Sequence, residues 1–436
     1  MTTLNRWEKT PFGEIATLVK GISYASEDYC SPGQGAIFLT IKCVSKAGGF
    51  KSEGIKYFKG EIADSQELHA GDLLIANTDL TRAGDIVGAP IVVPSLNGGT
   101  ITMSMDLSKV VEDEGKIDRQ FLYFVLMTDR VRRFMKDHAS GSTVLHLQTR
   151  AVPTLEIVIP NKKSEQTKIA EILSTVDQAI EQTEALIAKQ QRIKTGLMQD
   201  LLTRGIDENG NLRSEETHEF KDSPLGRIPV EWEIRNIDSI SDFVTSGARG
   251  WAKYYSDEGA VFLRIGNLTR DHINMRFDDT VFVRPPSGAE GLRTLVAPGD
   301  GLISVTADLG IIGVIPEGFG EGYVNQHIAL VRISGAKVDQ RFVGWFLQSR
   351  AGQVQFERHN EAGAKAGLNL PTIRSLLVAS PSLGEQRHIA KVLDANARRI
   401  AGFQAELNKQ SHLKTALMQD LLTGKVSVSP LLTDLT

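Results

Sequence analysis

The densest run of chemically active side chains is Arg130, Arg132, Arg133 and Lys136. Their spacing lays cations along a helix whose apolar side is Val131 and Phe134. Such a face suits phosphate contacts, and equally suits plain solvation. Arrangements for catalysis are missing. The nine histidines are scattered, His138 and His146 being the closest pair, and no H-E-x-x-H or Cys/His cluster could hold a catalytic metal. Gly424-Lys425 lacks the upstream glycine of a phosphate loop. Gly318 opens GFGEG, which lacks the spacing of a dinucleotide fingerprint and reads as a turn. There is no G-x-S-x-G elbow. Arg284-Pro285-Pro286-Ser287 lacks the polar-Pro-Pro-aromatic order of an adenine-N6 methyltransferase. A chain of this length without any of these points to binding or assembly.

The elements that must carry those side chains come in two copies. EQTKIAEILSTVDQAIEQTEALIAKQQRIKTGLMQDLLT from Glu165 aligns without a gap to EQRHIAKVLDANARRIAGFQAELNKQSHLKTALMQDLLT from Glu385, with 18 identities in 39 positions. That is internal duplication. The regions before them correspond more weakly: Trp7 with Trp232, GAIFLTI from Gly35 with GAVFLRI from Gly259, AGDLLIA from Ala70 with PGDGLIS from Pro298, Gly88 with Gly313, Leu147 with Leu368 and Pro160 with Pro381. In the first segment Ile169, Leu173, Val176, Ile180, Ile187, Ile193, Leu197 and Leu201 recur at three- and four-residue steps. Ile389, Leu393, Ile400, Phe403, Leu407, Leu413, Leu417 and Leu421 do so in the second. Ser164 is expected as the first helix's N-cap and Gly205 as its end. Each helix would run about 58 Å, too long to bury its stripe alone, and its duplicate packed antiparallel is the natural partner. Thr183, Gln190, Gln410 and Asn396 (where the first copy has Val176) break the seam and would fix register.

The remaining sequence reads as mixed α/β. Short β-rich runs at Ala36–Ile41, Asp72–Ala76, Ile86–Val93 and Val261–Ile265 are punctuated by turn formers, and helical stretches follow at Arg119–Lys136 and Gln340–Arg358. The expected plan is α+β: a globular domain over 1–163, a spacer helix over 164–203, a linker over 204–231, a second domain over 232–384, a second helix over 385–424 and a tail over 425–436. Pairing of the helices would give a pseudo-twofold monomer. The linker is polar, with three Lys/Arg and seven Asp/Glu between Ile206 and Glu231. The net charge of −4 excludes a binder that coats nucleic acid by bulk charge. Two cysteines, Cys30 and Cys43, exclude a disulfide framework or a four-cysteine zinc site. Apolar runs such as Leu155–Pro160 and Gly310–Pro316 are too short for a membrane span, and the N-terminus lacks a signal-peptide core, so a cytoplasmic protein is expected.

Taken together, the duplicated E-Q-x-x-I-A starts at Glu165 and Glu385, the endings GLMQDLLT and ALMQDLLTGKVSV, the join FKDSPLGRIPVEWEI from Phe220 and the strand GYVNQHIALVRI from Gly322 resemble the specificity (S) subunit of type I restriction–modification systems, over essentially the whole chain. The resemblance implies two target recognition domains, each reading half of a bipartite, asymmetric site on double-stranded DNA, with the helices setting the unread gap. It implies docking of two modification (methyltransferase) subunits and of restriction (motor/nuclease) subunits. It also implies a non-catalytic chain with no cofactor of its own, S-adenosylmethionine, Mg and ATP belonging to the partners. A duplicated coiled-coil scaffold that binds protein is the alternative, and a free-standing DNA-binding regulator a weaker third.

Base reading calls for donors and acceptors, and phosphate contacts for cations and hydroxyls. For DNA contact the first domain offers Lys20, Tyr24, Lys42 and Lys46, then Thr78, Thr81 and Arg82 in NTDLTRAGD, then Arg130 and Arg133, then His138, Ser142 and Thr143 in HASGSTV. The second offers Arg249, Lys253, Arg264, Asn267, Arg270, Thr306, Arg358 and Lys365. Arginine outnumbers lysine 12 to 3 over Trp232–Gly384, whereas Met1–Lys163 has 7 Arg and 12 Lys. That is compatible with guanine reading in one half-site, and with composition bias. Met198, Leu202, Met418 and Leu422 exceed what one narrow seam covers. They are the candidates for partner docking, or else cap the helices against the globular domains.

Overall fold

In the computed structural model, which describes residues 7–46, 48–81, 83–247, 249–285, 288–336, 338–360 and 367–435, nine α-helices form. They are α1 (Arg119–Met127), α2 (Asp129–Asp137), α3 (Lys163–Leu201), α4 (Ile237–Ile240), α5 (Ala289–Thr294), α6 (Gln340–Gln348), α7 (Arg350–Asn360), α8 (Leu370–Ser375) and α9 (Leu383–Leu421). The periodic stripes became α3 and α9, each 39 residues long. The chain divides into two units, Met1–Thr183 with Glu406–Thr436, and Glu184–Ala405. Each unit therefore holds the start of one long helix and the end of the other.

Within the first unit, Ile169, Ala170 and Leu173 at the start of α3 share a core cluster with Leu417, Met418, Leu421 and Leu422 at the end of α9. Within the second, Ile389, Ala390, Leu393 and Ala397 at the start of α9 share one with Leu197, Met198, Leu201 and Leu202 at the end of α3. The two long helices are thus packed together and antiparallel. Gln190 and Asn396, expected as polar breaks, meet: the Asn396 amide donates to Gln190 Oε1 at 3.0 Å.

The same sheet plan repeats in both units. In the first, an antiparallel sheet runs Ala16–Lys20, Leu107–Glu112, Leu73–Ala76, Pro90–Val92; in the second, Ser241–Ser246, Ile328–Ile333, Gly301–Ser304, Ile312–Val314. Ala36–Leu39 pairs in parallel with Ile101–Met103, as Ala260–Leu263 does with Gly322–Val324. Central strands are nearly continuous apolar runs because both faces are covered: Leu73 and Ile75 face one cluster, Leu74 and Ala76 another. Each expected helical stretch breaks once, at Thr128 and at Ser349, into α1–α2 and α6–α7. Asp118 and Asp339 cap α1 and α6 by accepting from the amides of Phe121 and Phe342, each at 2.9 Å.

The E-Q-x-x-I-A motif is the joint between helix and domain. Gln166 accepts from the amide of Asp118 and donates to the carbonyls of Lys116 and Pro160; Gln386 accepts from Asp339 and donates to Pro381. The motif's Ile and Ala sink into the core. Its Glu fastens the chain leaving the other helix: Glu385 accepts from the amide of Ile206 and from Arg213, and Glu165 accepts from Ser429.

Two expectations change, and the linker gains detail. Lys163 already begins α3, so Ser164 lies in the first turn rather than at the cap. The polar linker after α3 carries structure of its own: Phe220–Lys221 pairs with Ile228–Pro229, and Arg213 is buried against Glu231 and Glu385. Finally, Gly88 corresponds to Gly310, not Gly313. Each donates its amide to the last residue of the strand before it, Ala76 or Ser304, and each has a left-handed φ beneath a helix side chain, Met135 or Phe356. The loop before Gly88 is six residues longer than the one before Gly310, which shifted the alignment.

Candidate nucleic-acid interface

In the first unit Lys46, after the Ala36–Leu39 strand, pairs with Asp85 at 3.0 Å. Arg132 of α2 donates to the Asp85 carbonyl at 2.7 Å. Burial pushes the Arg132 guanidinium down to about 10, against the pull of Asp79 and Asp85. In the second unit the equivalents are Arg270, Asp308 and Gln353: Arg270 pairs with Asp308 and donates to Gln353 Oε1 at 2.9 Å. Each unit thus ties a cation, a loop carboxylate and the second helix of the broken pair into one node. Around the first node Arg133 and Lys136 are exposed, and with Lys46 and Arg132 they line an open cleft. Arg130 is exposed on the same helix.

The loop carrying Asp85 is held from inside. Burial alone would raise the Asp79 carboxyl, but hydrogen bonds from the amides of Ile86, Thr81 and Val87 and from the Thr81 side chain outweigh it and leave the pKa below its ordinary value. The Thr81 hydroxyl accepts from the amide of Asp85, so Thr81 shapes the loop. Thr78–Asp79 pairs with the strand Leu145–Leu147, whose His146 and Leu147 pair with Ser140 and Ala139. The structure thereby brings the Thr78 loop and the Ser142–Thr143 hairpin tip together, with Lys20 lining the same crevice as Thr78 and His146. Ser142 and Thr143 are exposed.

Several candidates have other work. Tyr24 packs its ring on Tyr29 and Phe38, at 5.3 and 5.1 Å between centroids. His138 closes α2, its Nδ1 at 2.9 Å from the Phe134 carbonyl and its ring stacked on Phe134. Asn267 is 2% exposed and spends both ends of its amide on the Arg264 amide and the Arg276 carbonyl, so it holds a turn and cannot reach a base edge. Thr78 is buried and Thr306 half-buried. Arg264 pairs with Asp279 at 2.8 Å. Lys42, Arg249 and Arg358 are exposed, as is Lys253, whose ammonium lies 4.9 Å from the Tyr254 ring centroid. Arg82 and Lys365 lie outside the described residues. The residues that sequence reasoning missed are acidic or amide: Asp79, Asp85, Asp308 and Gln353. A search for cations and hydroxyls passes over them, and their partners are far away in sequence.

The docking candidates divide. Leu202 is 1% and Leu422 7% exposed, both in core clusters, so neither offers a face to a partner: the turn after each helix folds them under the globular domain. Met198 and Met418 remain half-exposed on two equivalent grooves. In the first unit Thr415, Met418 and Gln419 oppose Met127–Val131 across about 520 Å³; in the second Thr195, Met198 and Gln199 oppose Gln348–Ala351 across about 830 Å³. No helix of the described residues is long and apolar enough to cross a membrane.

Comparison with known proteins gives one family. The model of the type I restriction modification DNA specificity domain matches residues 5–190. The chain is 23% identical over 334 residues to the specificity subunit of type I restriction enzyme MjaVIII from Methanocaldococcus jannaschii, covering 76% of this chain and 75% of the relative. It is 21% identical over 394 residues to the EcoBI specificity subunit of Escherichia coli, covering 88% and 78%. In fold it is similar to the S subunit of the type I restriction-modification system from M. genitalium, with a TM-score of 0.66 at 16% identity over 97% of each chain.

Proposed function

The chain belongs to the family of type I restriction-modification DNA specificity subunits, and from that premise we propose that its two units are target recognition domains, each reading one half of a bipartite, asymmetric site on double-stranded DNA. The antiparallel helices are the spacer that fixes the unread gap. Two modification subunits dock on the equivalent grooves at Met198 and Met418, and restriction subunits join the assembly. S-adenosylmethionine, Mg and ATP belong to those partners.

The observation that carries this reading is repetition with divergence. Each unit keeps the cation–carboxylate node and its joint to the long helices, but changes the side chains around it: Lys46, Asp85 and Arg132 in one, Arg270, Asp308 and Gln353 in the other. Common scaffolds with different polar fittings suit two readers of different words. Exposed cations beside each node supply the sequence-independent grip on phosphate that positions a reader.

The test exploits the spacer. One heptad inserted in each long helix adds about 10 Å of rod, or roughly three base pairs. Methylated sites mapped with the reconstituted complex should keep both words and gain about three unread base pairs between them. An unchanged gap overturns the spacer role. Replacing Met198 and Met418 with lysine should abolish co-purification of the modification subunits from a chain that still folds, and undiminished co-purification overturns the docking role.

A further inference from the structure

The side-chain pairing at Thr78 recurs in the second unit, and there its chemistry is changed. In the first unit, Thr78 follows a central strand and its hydroxyl donates to Asp106 Oδ1 at 3.1 Å; Ser104 donates to the other carboxylate oxygen at 3.3 Å. Asp106 immediately precedes the neighbouring strand, Leu107–Glu112. In the second unit the positions one repeat on are Thr306 and His327, the latter immediately before Ile328–Ile333. Thr306 Oγ1 lies 2.6 Å from His327 Nδ1, and Gln326 donates to His327 Nε2 at 2.9 Å. With Nε2 accepting, the imidazole proton sits on Nδ1 and points at Thr306.

Two further observations mark this place. In the first unit the crevice, about 130 Å³, is lined by Lys20 and His146, both exposed, and by the half-buried Asp106. The loop that follows Thr78 reaches the basic helix, since Lys136 and Leu145 both lie beside Gly84. In the second unit Ala307, next to Thr306, has φ of +60°, the one non-glycine residue in the left-handed region among the described residues. Backbone strain of this kind persists where the surrounding structure enforces it, and it gathers at binding loops.

We propose that this crevice in the first domain, and the equivalent Thr306–His327 position in the second, are the base-reading positions, and that Asp106 in the first and Gln326 with His327 in the second are the residues that make the two half-site words differ. The threonine is the shared mount. A carboxylate only accepts, so Asp106 suits a base edge presenting an exocyclic amino group, cytosine N4 or adenine N6. Gln326 presents an amide that both donates and accepts, the pattern that pairs with adenine N6 and N7. The proposal rests on the DNA-reading function argued above.

The test uses the chain assembled with its modification subunits and maps methylation on a library of random duplexes. Asp106→Asn keeps the shape and adds a donor. It should relax or change preference at one base of one half-site about tenfold, leaving the other half-site intact. Gln326→Glu should do the same in the other half-site only. An unchanged word in both variants, or a uniform fall in methylation across all sites, overturns the assignment. The unaltered half-site reports that each variant is folded and assembled. A wild-type complex that methylates no discrete bipartite site would instead overturn the underlying function, and the assignment with it.

Discussion

At the start of α9, Glu385 grips Arg213; at the start of α3 its counterpart, Glu165, accepts from the hydroxyl of Ser429. Both carboxylates receive the chain that has just left the other long helix, so the joint is the same in plan. The joint at Glu385 is an ion pair sunk in the protein, with Arg213 and Glu385 side chains 8% and 9% exposed. Burial works against the Arg213 charge, but the hydrogen bonds and field of Glu385, with those of Glu231, outweigh it and raise its pKa. Duplication copied the helix motif but not what it catches. The segment after each helix diverged, and the fastening followed the new residues.

The largest effect should come from breaking this pair of joints unequally. Glu385→Ala leaves Arg213 buried with Glu231 as its remaining ion-pair partner, a loss of about 3 kcal/mol. Glu165→Ala removes a hydrogen bond to a hydroxyl and should cost about 1 kcal/mol. Urea midpoints of the two variants measure the difference. Equal shifts would mean that the two joints are energetically the same and that the buried arginine is incidental.

A second contrast lies in the helix pair. Gln190 and Asn396 bond across it in the second unit, whereas at the equivalent places in the first unit Gln410 turns to Glu406 of its own helix, at 3.3 Å, and Val176 replaces the asparagine. Asn396→Val alone strands the Gln190 carbonyl and should cost 1–2 kcal/mol. Gln190→Leu with Asn396→Val removes both polar groups, including an Asn396 Oδ1 that has no hydrogen-bond partner, and should recover that loss or exceed wild type by about 1 kcal/mol. A double variant as weak as the single one would show that the bond is worth more than its desolvation.

These contrasts also show what a reader of the sequence can and cannot see. The three- and four-residue stripe made both long helices legible, since every turn of a helix repeats the same constraint. Strand positions followed from short apolar runs. The site was legible only in its exposed cations, Lys46, Arg133 and Arg270, and in the threonine of each loop. Asp85 and Asp308 hold those cations from loops 39 and 38 residues away, and no local spacing announces such a meeting. Asn267 looked like a base reader because asparagine can be one; a turn with a buried amide and carbonyl to satisfy took it first. The six extra residues before Gly88 misaligned the loops where the two units differ most.

The smallest effect carries the finest version of the comparison. Lys414 and Lys194 occupy the same place near the ends of α9 and α3. Lys414 pairs with the Asp177 carboxylate at 2.6 Å. Lys194 donates to the Asp271 backbone carbonyl, and burial lowers its pKa, with the Asp271 charge opposing. A lysine whose pKa falls on folding is penalised while charged. The unfolded chain then holds the proton more tightly, so stability from this group rises as pH climbs through the folded pKa toward the ordinary value near 10.5. Lys414→Met should cost about 1 kcal/mol at pH 7, the loss of a half-buried ion pair. Lys194→Met removes a penalty along with a hydrogen bond and should be neutral or slightly stabilising at pH 7, its advantage over wild type shrinking as pH rises toward 10.5. Urea titrations at pH 7 and pH 10 read both signs. If Lys194→Met weakens the protein as much as Lys414→Met at pH 7, the two lysines do the same work, and the divergence between the helix ends is confined to the joints.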